Sequence, residues 1–212
     1  MNINKNQRIH IMGIGGIGMS GIAEILDGLK YQVQGSDLLE NANVKRLKKR
    51  KIKIFIGHKK SNIKDTDIVV YSTAINKTNS EIQGAIQKEI PIISRSEILS
   101  QIVKLKKTIS ISGSHGKTTT TTMISSILNH LKLSPTVING GIINEYGTNT
   151  KLGRGEWMVV EADESDGTFI KLQSTIAVVT NIDKEHIEFY GSFDNLKKSF
   201  KKFITQIPFY GF

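Results

Sequence analysis

The sequence predicts an α/β protein made of two successive parallel-sheet units, and three observations predict it. Short apolar runs rich in Ile and Val alternate with stretches of helical spacing along most of the 212 residues. That is the pattern of strands buried on both faces and joined by crossover helices. Two of the runs exit through glycine-rich turns into a helix, at Gly13–Gly18 and at Gly113–Gly116. The alternation restarts after Lys106–Lys107, which divides the chain into 1–106 and 107–212.

In the first unit, "RIHIMG" (8–13) is a short Ile-rich run ending at glycine, a buried parallel strand. "GIGGIGMSGIAEIL" (13–26) becomes helical, with Ile17, Ile22, Ile25, Leu26 and Leu29 near helical spacing. "YQVQGSD" (31–37) is the next strand and ends in Asp37; a basic helix over about 42–50 leads to "IKIFIG" (52–57). "DIVVYSTAI" (67–75) is a strand with its exit loop, and "NSEIQGAIQKE" (79–89) a helix capped by Asn79 or Ser80. "IPIIS" (90–94) and "RSEILSQIVKL" (95–105) add a strand and a helix. In the second unit, "TISISGS" (108–114) runs into the helix "KTTTTTMISSILNHLK" (117–132), and "TVING", "WMVVEAD" and "TIAVVTNI" are further strands.

Composition excludes several classes. No apolar run approaches the roughly 20 residues of a membrane span, and "MNINKNQRIH" has no apolar core of a signal peptide. The absence of cysteine rules out disulfides and thiolate-bound metal, and a cytoplasmic setting is expected. The net charge of +10 comes with the Lys-rich runs 45–53 and 197–202. These read as helix surface without the aromatic residues that stack on bases, so neither nucleic acid nor membrane is expected as a partner.

Gly13, Gly15 and Gly18 form G-x-G-x-x-G between a strand and a helix, with Asp37 at the end of the next strand. Glycines permit the tight turn and close backbone approach, the helix N–H groups face a pyrophosphate, and the acid can take a ribose hydroxyl. NAD, FAD and UDP-sugars all carry a pyrophosphate, and the motif does not choose among them. Gly16→Val is expected to remove binding, because a β-branched side chain would block phosphate approach and resist any positive φ.

The second turn, "GSHGKTT" (113–119), differs from G-x-x-x-x-G-K-[ST], because Ile111 stands at the first glycine position. The chemistry survives that change: backbone N–H groups and the helix dipole hold phosphate oxygens, Lys117 adds a point charge, and the Thr118 hydroxyl can ligate Mg²⁺. Five consecutive threonines, 118–122, are poor helix formers, so helix propensity does not account for the stretch. Two later strands end in polar clusters: the acids Glu161, Asp163, Glu164 and Asp166, then Asn181, Asp183, Glu185 and His186. Clustered carboxylates repel one another unless a cation or basic partner lies among them.

"IHIMGIGGIGMSGIAEIL", "GSHGKTTTTTMI", "EADESDGTF" and "TNIDKEHIEFYGSFDNLKKSF" together resemble the Mur ligases, over nearly the whole chain. The G-I-G-G-I-G-M-S start resembles that of the branch joining L-alanine to UDP-N-acetylmuramate. The resemblance implies a Rossmann-like UDP-binding domain at 1–106, followed by a P-loop-type ATP-binding domain at 107–212. It implies use of ATP and Mg²⁺ to phosphorylate the lactyl carboxylate of UDP-N-acetylmuramate, and attack on the acyl phosphate by the amine of L-alanine. Gly113, Ser114, His115, Gly116, Lys117, Thr118 and Thr119 would cradle the ATP phosphates; Ser114 stands where the family usually has Thr. Lys117, Glu161 and His186 would be catalytic, and Thr118, Glu161 and His186 would hold Mg²⁺. Gly15, Gly16, Ile17 and Gly18, with Asp37, Ser72 and Thr73, would bind the UDP-sugar.

The family also has further strands in the ATP domain and a C-terminal amino-acid-binding domain. The chain is therefore expected to be a fragment, one half of a split ligase or the product of a decaying gene, with an unpaired sheet edge and exposed apolar surface. A separately encoded C-terminal half would then be a partner. The alternative is a non-catalytic remnant that binds UDP-N-acetylmuramate. A dehydrogenase built on the first turn would leave Lys117, the acids and His186 without a purpose.

Overall fold

A computed structural model describes residues 4–72, 74–143 and 148–212. The chain forms two compact units, Met1–Ile98 and Leu99–Phe212.

In the first unit β1 (Arg8–Met12), α1 (Ile17–Gly28), β2 (Gln32–Asp37), α2 (Ala42–Lys49), β3 (Lys53–Ile56), β4 (Ile68–Tyr71), α3 (Ser80–Gln87) and β5 (Ile92–Ser94) follow one another. The strands make one parallel sheet in the order β3-β2-β1-β4-β5. β1 and β4 are buried on both faces: Ile9, Ile11, Met12, Ile68, Val69 and Val70 are 0% exposed. The strand order reverses beside β1, so the turn leaving β1 opens into the crevice where such sheets bind ligands. Asn41 caps α2 by accepting from Val44 N, and Asn79 caps α3 by accepting from Glu81 N. Much of the basic run is paired with acids: Arg46 with Glu24 (2.7 Å), Lys48 with Glu40 (2.7 Å) and Arg50 with Asp27 (2.9 Å).

α4 (Arg95–Val103) spans the division between the units. The second unit continues with β6 (Lys107–Ser112), α5 (Lys117–His130), β7 (Thr136–Ile143), β8 (Thr148–Lys151), β9 (Trp157–Glu161), β10 (Ile176–Val179), α6 (Ile187–Tyr190) and α7 (Phe193–Thr205). Its sheet runs β10-β6-β9-β7-β8, parallel except for β8, which pairs antiparallel with β7. The threonine run is helical despite its propensity. Thr122 and Ser125 turn their hydroxyls back to the carbonyls of Thr118 and Thr121, and Thr121 and Ser125 are buried. β10 ends the sheet order, and Phe212 hydrogen-bonds on either side of Ile176: its N–H donates to Thr175 O and its carbonyl accepts from Ala177 N. Phe209, Tyr210 and Phe212 are exposed. Among the described residues, no helix is long and apolar enough to cross a membrane.

Candidate functional site

The first glycine turn is seated on three consecutive residues of β2. Gly35 has no side chain, and the space a Cβ would fill is taken by Ile14 Cδ1, at 2.6 Å, and Ile11 O, at 2.4 Å. The Ser36 carbonyl accepts from Ile14 N at 3.0 Å, and Asp37 Oδ2 accepts from Gly15 N at 2.7 Å. The Gly15 carbonyl in turn accepts from Asn41 and Asn43 Nδ2, at 3.1 and 2.8 Å. Asp37 thus holds the turn itself, besides any ribose contact.

Gly13 carries the positive φ of this turn, +67°, whereas Gly16 has an ordinary φ of −63°. The positive φ allowed for at Gly16 is found at Gly13 instead: the chain reverses at Gly13 and is already entering α1 at Gly16. Gly16 caps α1 without a side-chain bond, so the helix opens with no side chain over its N-terminus. Ile17 is half exposed on the first turn of α1, and the exposed Arg95 lies over Gly18, with Nη1 2.6 Å from where a Cβ would stand. The Ser72 carbonyl and hydroxyl accept from Ile75 N and Ala74 N. Thr73 lies outside the described residues.

The second turn is seated on the exit of β10. Ser114 N donates to Asn181 O (3.2 Å), His115 N to Asn181 Oδ1 (2.9 Å), and Asp183 N to Ser114 Oγ (2.9 Å). The His115 carbonyl accepts from Thr180 Oγ1 at 2.6 Å and Asn181 Nδ2 at 3.1 Å. Gly113 and Gly116 have positive φ, +136° and +80°. At Gly113 a Cβ would stand 2.1 Å from Thr180 Oγ1. The turn has the form expected of a phosphate cradle without a glycine at 111, and Ile111 is a fully buried residue of β6.

Lys117 bends back over this cradle. Its Nζ donates to Gly113 O (2.7 Å), Ser114 O (3.4 Å) and Glu164 Oε1 (2.9 Å). Thr118 Oγ1 donates to Glu161 Oε2 at 2.9 Å, which also accepts from Gly140 N at 2.9 Å. Thr119 is exposed on the first turn of α5. The three expected metal ligands fall into two groups: Thr118 stands with Glu161, whereas His186 stands with Glu164, Nε2 to Oε1 at 3.8 Å. Ligand atoms of Glu164, Glu185 and His186 lie within 4.8 Å of one another. Glu164 is 1% exposed and its Oε2 has no hydrogen-bond partner, an orphaned anionic oxygen that a cation would satisfy.

Glu164 is the candidate site residue to which the sequence alone assigned no role. It stood as one of four neighbouring acids, and only burial and the Lys117 contact single it out. Tyr190 fixes its backbone by donating to the Glu164 carbonyl. Burial, and then the charges of Glu164, Asp166 and Asp163, push the Tyr190 phenol up to about 12, so it remains a donor. Below the acidic loop, Phe169 packs on Phe200 and Phe203 of α7 at 5.1 Å each, all three fully buried.

Two family profiles match in succession: "Mur ligase family, catalytic domain" over residues 8–107 and "Mur ligase middle domain" over residues 111–212. The chain belongs to the Mur ligase family. It is 57% identical over 204 residues to the UDP-N-acetylmuramate–L-alanine ligase of Mesorhizobium japonicum, covering 96% of this chain and 44% of that protein. It is 56% identical to the enzyme of the same name from Brucella anthropi, with the same coverage. The crystal structure of the UDP-N-acetylmuramate-alanine ligase of Thermotoga maritima superimposes with a TM-score of 0.86 at 34% identity, over 95% of this chain and 48% of that one. A Neisseria meningitides ligase, UDP-N-acetylmuramate:L-alanyl-gamma-D-glutamyl-meso-diaminopimelate ligase, shares the fold at a TM-score of 0.85 and 24% identity, over 97% and 69% of the chains. The chain thus spans about 44% of the length of the curated Mur ligases it matches.

Proposed function

We propose that this chain is the UDP-sugar- and ATP-phosphate-binding portion of a ligase that joins L-alanine to UDP-N-acetylmuramate. The observation that carries the reading is the Lys117–Glu164 and Thr118–Glu161 pairing around a strand-to-helix glycine turn. Lys117 presents its ammonium across the cradle, where it would meet the β- and γ-phosphate oxygens of ATP and oppose the charge that develops there. Gly113, Ser114, His115, Gly116, Thr118 and Thr119 surround those oxygens with backbone and hydroxyl donors. Gly15, Gly16, Ile17 and Gly18, with Asp37, Ser72 and Thr73, take the UDP-sugar at the first turn. Thr118 with Glu161, and Glu164 with Glu185 and His186, would hold Mg²⁺, which supplies charge neutralisation between phosphate oxygens. The carboxyl-ended donor sets and the orphaned Glu164 Oε2 suit that hard cation.

The division of labour falls at 106–107, a placement supported by the change of family profile between residues 107 and 111. ATP and UDP-sugars are cytoplasmic reactants, and the reading places the protein there. The acyl-phosphate step needs an adenine pocket and a delivered alanine amine, and the remaining portion of a relative, supplied in trans, would provide them.

The test is ATP-, Mg²⁺- and alanine-dependent phosphate release by residues 1–212 alone, and again with that remaining portion added. We expect no turnover alone, turnover on addition, and a loss of roughly 10²–10³-fold in Lys117→Ala, the scale of removing one transition-state donor. Turnover on addition that survives Lys117→Ala would refute the assignment. Tight UDP-N-acetylmuramate binding with no turnover in either case would favour the non-catalytic reading.

A further inference from the structure

Beneath the first glycine turn lies a buried polar cluster that the proposed chemistry does not use. Its centre is Glu81, on the first turn of α3 and 0% exposed. Ser36 Oγ donates to Glu81 Oε2 at 2.6 Å and Asn62 Nδ2 donates to Oε1 at 2.6 Å. His58 Nδ1 lies 2.8 Å from Oε2, and His10 Nε2 lies 3.5 Å from Oε1. His10 and Ser36 are fully buried, and the two imidazoles also contact the Ser36 hydroxyl, at 3.3 and 3.0 Å. One carboxylate therefore ties α3 to β1, to β2, to the exit of β3 and to the turn at Asn62.

A buried carboxylate is costly unless it is fully hydrogen-bonded. Burial by itself would raise the Glu81 carboxyl; hydrogen bonds from His10, Ser36 and Asn62, and the charge of His10, outweigh that and hold it at about 2. An apolar residue would fill the same space without that demand, so stability alone does not explain the choice. The position of Ser36 does. Its hydroxyl is in the network and its carbonyl holds Ile14, while its neighbours Gly35 and Asp37 receive the Ile14 side chain and the Gly15 N–H.

We propose that Glu81 is a positioning residue for the first glycine turn: by fixing Ser36, it fixes the three residues of β2 on which that turn is seated. The consequence for ligand binding rests on the UDP-sugar reading of the turn. The effect on the turn itself does not.

The experiment uses the full 212-residue chain and the variants Glu81→Gln, Ser36→Ala and Ile68→Val. Glu81→Gln keeps the volume but sets an NH₂ among donors. Ser36→Ala removes the β2 hydroxyl that joins Glu81, His10 and His58, and serves should Glu81→Gln fail to fold. Ile68→Val thins a buried position of the same sheet on the face away from His10, at a strand residue outside the network. UDP-N-acetylmuramate affinity is measured by calorimetry, and amide exchange is followed in the ligand-free chain. Glu81→Gln and Ser36→Ala are expected to weaken binding about tenfold, and to speed exchange at Ile14 and Gly15 by a similar factor, the scale of one buried donor losing its acceptor. Exchange at Val69 should stay as in the parent, and Ile68→Val should leave Ile14, Gly15 and affinity as they were. Parent-like exchange at Ile14 and Gly15 in both folded network variants would overturn the proposal, and so would uniformly faster exchange across the unit. A parent chain that does not bind UDP-N-acetylmuramate would overturn the UDP-sugar reading instead, and exchange would still decide the role of Glu81.

Discussion

The two glycine turns are built alike and charged differently. Each leaves a buried parallel strand, enters a helix without a side-chain cap, and is seated on the end of a neighbouring strand: β2 for the first and β10 for the second. The first turn is held by neutral groups and one acid, Asp37, which is spent on the backbone. The second carries Lys117 on its helix, Glu164 against that lysine and Glu161 against Thr118. A turn that only binds a pyrophosphate needs shape and N–H groups. A turn that serves phosphoryl transfer needs opposed charges already in place, because in that chemistry catalysis is positioning and electrostatics.

The comparison breaks most sharply at Gly113. An added Cβ would lie 2.1 Å from Thr180 Oγ1 and 2.9 Å from the Asn181 carbonyl, at a φ of +136°. The left-handed backbone costs about 1–2 kcal/mol and the overpacking about 1–3, so together the loss is on the order of 10²-fold or more. Gly113→Ala should therefore abolish measurable ATP binding in a calorimetric titration. UDP-N-acetylmuramate affinity should stay within about twofold, since the first turn rests on its own strands. Loss of both affinities together would mean that the two turns are not independent.

At Gly15 the effect should be smaller. The three atoms nearest to a Cβ there are side-chain ends: Asn41 Nδ2 at 2.7 Å, Val44 Cγ2 at 2.8 Å and Asp37 Oδ2 at 2.9 Å. Asn41 and Asp37 can rotate aside and the buried Val44 shifts with α2, at the lower end of the overpacking cost, about 1–1.5 kcal/mol. Gly15→Ala should weaken UDP-N-acetylmuramate about tenfold and leave ATP binding unchanged. A loss as deep as that at Gly113 would show that Asp37 and Asn41 cannot yield.

What could be read from the sequence follows the same line between local and distant. Strand, glycine exit and helix are set by neighbouring residues, so "RIHIMG" and "TISISGS" announced β1, β6 and the turns that follow. Lys117, Thr118 and Glu161 were legible because each sits at a strand or helix end beside its motif. β8 was not: "TNTK" is polar, without an apolar run, and pairs antiparallel at the sheet edge. Glu164 could not be told from Asp163 or Asp166, because what separates them is burial. Glu81 was hidden for another reason. Its partners Ser36, His58 and Asn62 are 45, 23 and 19 residues away in the chain, and no short pattern joins them.

Gly16 is the position where sequence and structure part most clearly, and it gives the smallest effect. The motif alone suggests that any side chain there obstructs the pyrophosphate and strains the backbone. In the structure φ is −63°, so alanine suffers no conformational penalty, and an added Cβ would meet only the Gly13 carbonyl, at 3.3 Å. That contact is relieved by a shift of a few tenths of an ångström, costing well under about 1 kcal/mol. Gly16→Ala should therefore change UDP-N-acetylmuramate affinity by no more than about threefold and leave thermal stability unaltered. The larger Gly16→Val tests the remaining half of the argument, because its branches would stand over the uncapped start of α1. If valine abolishes binding while alanine does not, the glycine is required by the ligand's approach and not by the chain. If alanine already abolishes it, the pyrophosphate lies closer to Gly16 than to Gly15, and the turn is read from its helix side.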